Sequence, residues 1–347
     1  MSSLRIKDPA LPLGAKVLVT GANGYIASHI VDQLLGLGYR VRGTVRDITR
    51  HSWMLHLFSG RYPYAKERFE LVEVRDLTDP NAFQDALQDV DGVVHTCTFI
   101  TVAAEDAEKD IEHNTRTATA VLRATLESNH VRCFIFTSSS WAAAWPSPEK
   151  ATTVTSESWN EAALQKVFSS DADGISIFSA AKVLAEKAVW DLHNSHNPSH
   201  MALNTVLPAV VFGPVLAPKH QGIASSSSMI KALHDGTSPE VLSMVQPQYF
   251  VDVRDVARLH VAALLHPGCE GKRLFAYAEG FNWDEVLEML RGMFPERKFA
   301  EVVGLGRDET VVERGMEVEV MRDVSGNEEW IELGVCVRDT VESFEGT

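Results

Sequence analysis

The run Thr20-Gly21-Ala22-Asn23-Gly24-Tyr25-Ile26-Ala27 has the residue types that receive a pyrophosphate. Gly21 permits a tight turn, Gly24 lets backbone approach the phosphates, and small Ala27 lets a helix pack closely on a strand. The start of that helix adds unpaired N–H groups and the positive end of its dipole. Glycines also make ordinary turns, so the signal rests on context: a strand-like run precedes the loop and a helical pattern follows it. An acidic residue about 20 positions further on would hold a ribose diol; this chain instead has Thr44-Val45-Arg46. Arg46, with Arg50 and Arg42 nearby, suits a 2′-phosphate, which favours NADP(H) over NAD(H). A solvated arginine cluster is the competing reading, and Asp47 directly after Arg46 weighs on its side. Further along, Asp76 in Arg75-Asp76-Leu77 either accepts from an adenine amino group or caps a helix.

These side chains act together only if regular elements position them. Lys16-Val17-Leu18-Val19-Thr20 reads as a buried strand, and residues 26–36, apolar at Ile26, Ile30, Val31, Leu34 and Leu35, read as a helix. Residues 40–45, 69–74, 92–95 and 133–137 read as further strands, with helical stretches between most of them. Strand and helix alternating in this way predict an α/β fold, a doubly wound parallel sheet of Rossmann type covered on both faces. Val206 to Phe212 reads as a sixth strand, Ser225 to Ser228 as a polar loop, Asp252 to Leu265 and Trp283 to Phe294 as helices. Residues 1–213 are expected to form the dinucleotide-binding domain. Residues 214–347 are expected to be mainly a smaller substrate-binding lobe over the strand ends, with 249–265 returning to the core.

Composition narrows the partners. Among 347 residues, 32 are basic and 47 acidic, a net charge of −15. A nucleic-acid-binding face is therefore not expected. No run approaches the ~20 apolar residues of a membrane span, and the first residues lack the apolar core of a signal peptide. Cys97, Cys133, Cys269 and Cys336 lie far apart, without a C-x-x-C pair or a histidine at ligand spacing. Neither disulfides nor a metal site are expected, and a cytoplasmic protein with reduced thiols, monomer or homodimer, fits best.

Several blocks, in order, carry a resemblance. They are the glycine loop, Thr44-Val45-Arg46-Asp47, Asp76-Leu77, Val94-His95-Thr96, Phe136-Thr137-Ser138-Ser139, the run from Leu207 and Pro208 through Val211 to Pro214, and Tyr249-Phe250-Val251-Asp252-Val253-Arg254-Asp255-Val256-Ala257. Together they resemble the extended short-chain dehydrogenase/reductase family, within it the dihydroflavonol 4-reductase and fungal aldehyde/ketone reductase group, over nearly the whole chain. The resemblance implies an NADP(H)-dependent carbonyl reductase. It implies cofactor contacts from Thr20, Gly21, Asn23, Gly24, Tyr25, Ile26, Arg46, Arg50, Asp76, Leu77, Thr96, Lys182, Pro208 and Val211. In that family a Ser, a Tyr and a Lys do the chemistry, the last two spaced four apart on a helix so that both face the nicotinamide. The Lys lowers the Tyr pKa, the Tyr gives the carbonyl oxygen its proton and the Ser fixes that oxygen. The Ser maps to Ser139, with Ser138 and Ser140 as neighbours, and the Lys to Lys182.

Four positions before Lys182 stands Phe178. Ile177-Phe178-Ser179-Ala180-Ala181-Lys182 keeps the rest of the pattern, but phenylalanine neither donates nor accepts a proton. Three readings follow. The chain is a reductase lineage with impaired or altered proton transfer, Phe178 being native or introduced. Or it has left redox chemistry for an isomerisation or ring closure, such as that of a phenolic enone. Or it is a catalytically silent NADP(H) sensor. His95 reads as structural, its ring tied to backbone. Where the family continues after that histidine with Ala and often Pro, this chain has Thr96-Cys97-Thr98-Phe99. Cys97 and Thr98 are candidates for the nicotinamide side of a substrate pocket. Asn114, read as opening a helix, and Trp141 are further candidates, Trp141 because an aromatic there can stack a planar small molecule of polyketide or flavonoid type.

Overall fold

The computed structural model describes residues 4–99, 107–148, 150–223, 226–236, 245–301 and 306–345. Among them the strands are β1 (Lys16–Val19), β2 (Arg40–Val45), β3 (Phe69–Glu73), β4 (Gly92–His95), β5 (Cys133–Thr137), β6 (Thr153–Val154), β7 (Ala202–Pro208), β8 (Val210–Phe212), β9 (Gln248–Asp252), β10 (Arg273–Ala276), β11 (Glu279–Phe281) and β12 (Val311–Val312). Seven of them form one parallel sheet in the order β10-β7-β5-β4-β1-β2-β3. The order reverses at β1, so a crevice opens between the carboxyl ends of β1 and β4, where the loops after both strands meet.

Alternate residues of the central strands feed two buried layers. Leu18, Val93, Phe134, Phe136 and Leu203 pack with Val121, Leu122 and Val189 from the helices Ala107–Leu126 (α2) and Gly174–His196 (α3). Val17, Val19, Val94, Ile135 and Val206 pack on the other face with Ile30, Val31 and Leu34 of helix α1 (Tyr25–Gly36) and with Val256, Leu259 and Leu264 of helix α4 (Val253–Leu265). Both faces being dry, the strands read as continuous apolar runs and not as alternating ones.

The predicted sixth strand is two strands. β7 starts earlier, at Ala202, and ends at Pro208; β8 then joins a separate sheet of order β11-β9-β8. Proline has no N–H to continue a ladder, so the chain changes sheet there. Polar Asn204 and Thr205 disguise the strand's start: Asn204 Nδ2 donates to the carbonyls of Ala263 and Cys269, and Thr205 Oγ1 donates to Glu186 at 2.8 Å. Ser225 lies outside the described residues, while Ser227 and Ser228 open the helix Ser227–Asp235 in place of the expected loop. Besides α4, β10 also returns to the main sheet, beside β7. No described helix is long and apolar enough to cross a membrane.

Candidate active site and dinucleotide cleft

The glycine loop lies at the strand reversal. Gly21 has φ +60°, and a Cβ there would meet Cys97 Sγ at 2.5 Å. Its N–H donates to Thr44 Oγ1 at 3.0 Å and the Ala22 N–H to the Thr44 carbonyl at 3.0 Å, which ties the loop to the end of β2. Gly24 caps α1 without any side-chain hydrogen bond, and the first turn holds no acidic residue. The N–H groups of that first turn have no intrahelical partner by geometry, and Tyr25, Ile26 and Ala27 line a cavity of about 600 Å³. From behind, Gln221 Nε2 donates to the carbonyls of Asn23 and Gly24 at 3.0 and 3.3 Å. The Tyr25 hydroxyl donates to the Gly213 carbonyl at 2.8 Å, which fixes the loop to the chain after β8.

Arg46, Arg50 and Leu77 line the same cavity, with Thr44, Val74 and Thr96. Neither Arg46 nor Arg50 makes an ion pair among the described residues. Asp47 is occupied instead as the cap of the helix Ile48–His51, accepting the Arg50 N–H at 3.0 Å. A tight backbone cradle ending in two unpaired guanidinium groups fits a dinucleotide with a 2′-phosphate. One sequence expectation falls away. Arg42 is spent on Glu70 and on the carbonyls of Asp85, Ala86 and Gln88. The Asp76 carboxylate accepts from the Thr78 N–H and hydroxyl at 2.8 and 2.7 Å, which holds its pKa below the usual carboxylate range. Asp76 caps a turn on the surface through its Oδ1, the capping alternative that the sequence offered. Pro208 closes β7, and the Val211 carbonyl accepts from Ser226 Oγ. Gly21→Ala places a side chain both in left-handed backbone and against Cys97; about 1–2 kcal/mol of stability is lost, read as a lower Tm, together with affinity for the dinucleotide in a fluorescence titration.

At the other end of the cleft, Thr96 Oγ1 donates to the Thr20 carbonyl at 2.7 Å, and Thr20 Oγ1 meets His95 Nδ1 at 2.9 Å. His95 is structural, but a threonine hydroxyl holds its ring in place of backbone. Burial, then repulsion from Lys182, pushes its pKa down to about 3, so it stays neutral at physiological pH. Two of the three positions mapped from the family, Phe178 and Lys182, share α3. Lys182 is buried, its Nζ donating to Thr98 Oγ1 at 2.5 Å and to the Thr137 carbonyl at 3.1 Å. Burial draws this lysine down to about 8, opposed by the nearby Glu186 carboxylate. The same Nζ lies 6.0 Å from the centre of the Phe178 ring.

The three neighbouring serines differ in their partners. Ser138 Oγ donates to Glu186 at 2.6 Å within a buried cluster that also takes Thr205 and Arg273. Ser140 is buried beside the Tyr277 hydroxyl. Ser139 is half-exposed, and its Oγ accepts one long bond, 3.3 Å, from the Trp141 N–H, leaving its own proton to donate. Trp141 meets Phe178 edge to face with ring centres 6.0 Å apart, and its Nε1 donates to Gln248.

Asn114 does not open a helix. It sits well inside α2 and is buried, with Oδ1 accepting the Phe99 N–H at 2.9 Å and Nδ2 donating to the Phe99 carbonyl at 3.0 Å. Its amide pins the segment that carries Cys97 and Thr98, both of which line the cavity. Burial raises the Cys97 thiol pKa, which keeps it un-ionised at neutral pH. Sequence reasoning missed Thr44 as a clamp and Gln221 altogether. Thr44 stood inside a quoted motif; Gln221 had no local signal, because its partners lie nearly 200 residues away.

A parallel sheet reversing at its glycine loop, with Lys182 bonded to Thr98 in the wall of the cavity beside that loop, is the architecture of a Rossmann-type dinucleotide-binding fold. The chain belongs to the NAD dependent epimerase/dehydratase family, whose profile matches residues 17–274. It is 34% identical over 336 residues to ketoreductase adrE of Penicillium roqueforti, covering 95% of this chain and 97% of that protein. It is 30% identical over 345 residues to aldehyde reductase 2 of Sporidiobolus salmonicolor, covering 98% of both. The fold superposes on the crystal structure of Gre2 from Candida albicans in complex with NADPH with a TM-score of 0.85 at 25% identity, covering 96% of this chain and 99% of that one. The chain is of a ketone and aldehyde reductase lineage.

Proposed function

We propose that the protein is an NADP(H)-dependent reductase of small-molecule ketones or aldehydes whose proton transfer is altered because Phe178 stands where the lineage keeps a phenol. The observation that carries this reading is the cavity itself, which runs from Arg46 and Arg50, past uncapped helix amides, to Thr98, whose hydroxyl receives the Lys182 ammonium. Bound NADPH supplies the hydride. The chain's residues do the rest: the first turn of α1 would hold the pyrophosphate, Arg46 and Arg50 would hold the 2′-phosphate, and Lys182 would hold the ribose. The Ser139 hydroxyl donates to the substrate's carbonyl oxygen. Trp141 and Phe178 offer an apolar, aromatic wall, suited to a flat or hydrophobic substrate of secondary-metabolite type.

Binding measurements test this directly. NADPH binds more tightly than NADH, and Arg46→Ala weakens NADPH by about tenfold, the worth of one charged hydrogen bond, while leaving NADH unchanged. Equal affinity for the two dinucleotides, before and after the substitution, overturns the assignment. Phe178 also favours a second reading, ring closure or isomerisation without net redox chemistry. That reading requires product of unchanged mass in the absence of nicotinamide; strict dependence of turnover on NADPH oxidation eliminates it.

A further inference from the structure

Resting on that reading, we propose that Thr98 is the group that protonates the substrate's carbonyl oxygen, resupplied by the Lys182 ammonium, in place of the missing phenol. Phe178 has no proton to give; five of the six tyrosine hydroxyls are committed elsewhere, and the sixth, that of Tyr277, is buried and does not line the dinucleotide cavity. Those of Tyr25, Tyr39, Tyr64 and Tyr249 donate to the carbonyls of Gly213, Leu11, Leu35 and Thr310. Tyr62 lies against Asp32 and Tyr277 against Ser140.

Thr98 has what the others lack. Its Oγ1 accepts from Lys182 Nζ at 2.5 Å, so its own hydrogen is free to donate elsewhere. It lines the dinucleotide cavity beside Cys97 and Thr96. It is also held in place, because the Asn114 amide clamps both backbone groups of Phe99, the next residue. Ser139 has a free hydroxyl but no cation behind it; its one contact is the Trp141 N–H. It can donate a hydrogen bond to the oxygen but has nothing to refill it after giving up a proton. His95 is buried and neutral. The remaining rival is His113, which is exposed, lines the cavity and lies against Phe99 with ring centres 4.7 Å apart.

The step balances. As hydride reaches the carbonyl carbon, the π pair moves to oxygen, the Thr98 O–H proton passes to that oxygen, and a Lys182 proton passes to Thr98 Oγ1. Neutral Lys182 then takes a proton from water. The net change is one hydride and one proton added to the C=O bond. A buried ammonium with a pKa of about 8 gives up a proton near neutral pH far more readily than an exposed one.

The test compares Thr98→Val and Thr98→Ser in the unmodified chain and in Phe178→Tyr, with kcat for carbonyl reduction and NADPH affinity as readouts. In the unmodified chain Thr98→Val lowers kcat about 100-fold, Thr98→Ser restores it to within about threefold, and NADPH affinity holds. With the phenol present in Phe178→Tyr, Thr98→Val changes kcat less than about fivefold, since the relay is bypassed. An equal loss in both backgrounds assigns Thr98 a packing role and overturns the proposal. So does unchanged kcat for Thr98→Val, or a 100-fold loss in His113→Gln instead. Carbonyl reduction by Phe178→Tyr but none by the unmodified chain overturns the relay and leaves the reductase reading standing; no reduction by either overturns both.

Discussion

Phe178→Tyr raises kcat for carbonyl reduction by about 100-fold, which, on top of the Thr98 relay, brings the total to the upper end of what a positioned general acid contributes. The ring stands on α3, four residues before Lys182, with Nζ 6.0 Å from its centre. At that distance the ammonium favours the phenolate and draws a phenol's pKa toward neutrality. Phe178 is half-buried, and its ring meets Trp141 by an edge, so one added oxygen costs little stability and Tm moves by no more than a few degrees. NADPH affinity stays unchanged, because Phe178 is not among the residues that line the cavity with Arg46 and the α1 N-terminus. The gain therefore appears in kcat with binding constant, the signature of an interaction made only in the transition state. A variant that binds NADPH as the parent does and shows no gain on a broad panel of aromatic and aliphatic carbonyls sinks the assignment of the site.

What could be read from the sequence was what is local. The phosphate loop is one strand end, one turn and one helix start, so its residues are contiguous and their chemistry is visible in order. The Phe178 and Lys182 pair is equally local, a single helical turn. Features that depend on folding were hidden or misread. Asp76 was legible only as a choice between an adenine contact and a cap, because nothing in the sequence announces that Thr78 takes one of its oxygens. Arg42 looked available because its backbone carbonyl partners at 85–88 lie beyond the intervening strand. Asn114 was placed at a helix start, whereas a buried amide in mid-helix holds a neighbouring chain segment, a role that propensity does not encode. The run 206–212 merged two strands because both are apolar and β-branched; only Pro208 marked the break.

Acid destabilises this protein well above the pH at which carboxylates titrate. His29, His95 and His260 are buried and neutral, with pKa values pushed down by burial to about 4, 3 and 4. Each is held by hydrogen bonds at the site's edge: His29 Nε2 to the Pro214 carbonyl, His95 Nδ1 to Thr20, and His260 Nε2 to Thr137, whose carbonyl receives Lys182. In the unfolded chain all three recover the ordinary value of about 6.5. Above that pH neither state is charged, and the stability is fully present. As pH falls below it, the unfolded chain takes up protons that the folded one refuses until pH 3–4, so stability falls at about 1.4 kcal/mol per histidine per pH unit. From pH 7 to pH 5 the three together remove about 5 kcal/mol, a large share of the 5–15 kcal/mol that typically holds a domain together. Asp255, whose carboxyl burial raises, works in the opposite sense but is a single group. Lys182 does not contribute in this window, because its shift acts only between about 8 and its ordinary value of 10.5. Denaturant midpoints measured from pH 7.5 to 4.5 should fall with a slope of about three protons taken up on unfolding, and His260→Gln should reduce that slope to about two. A midpoint that is flat down to pH 5 would mean that these rings are hydrated or exchange rapidly with solvent, and that the polar floor beneath Lys182 is less tightly closed than its contacts imply.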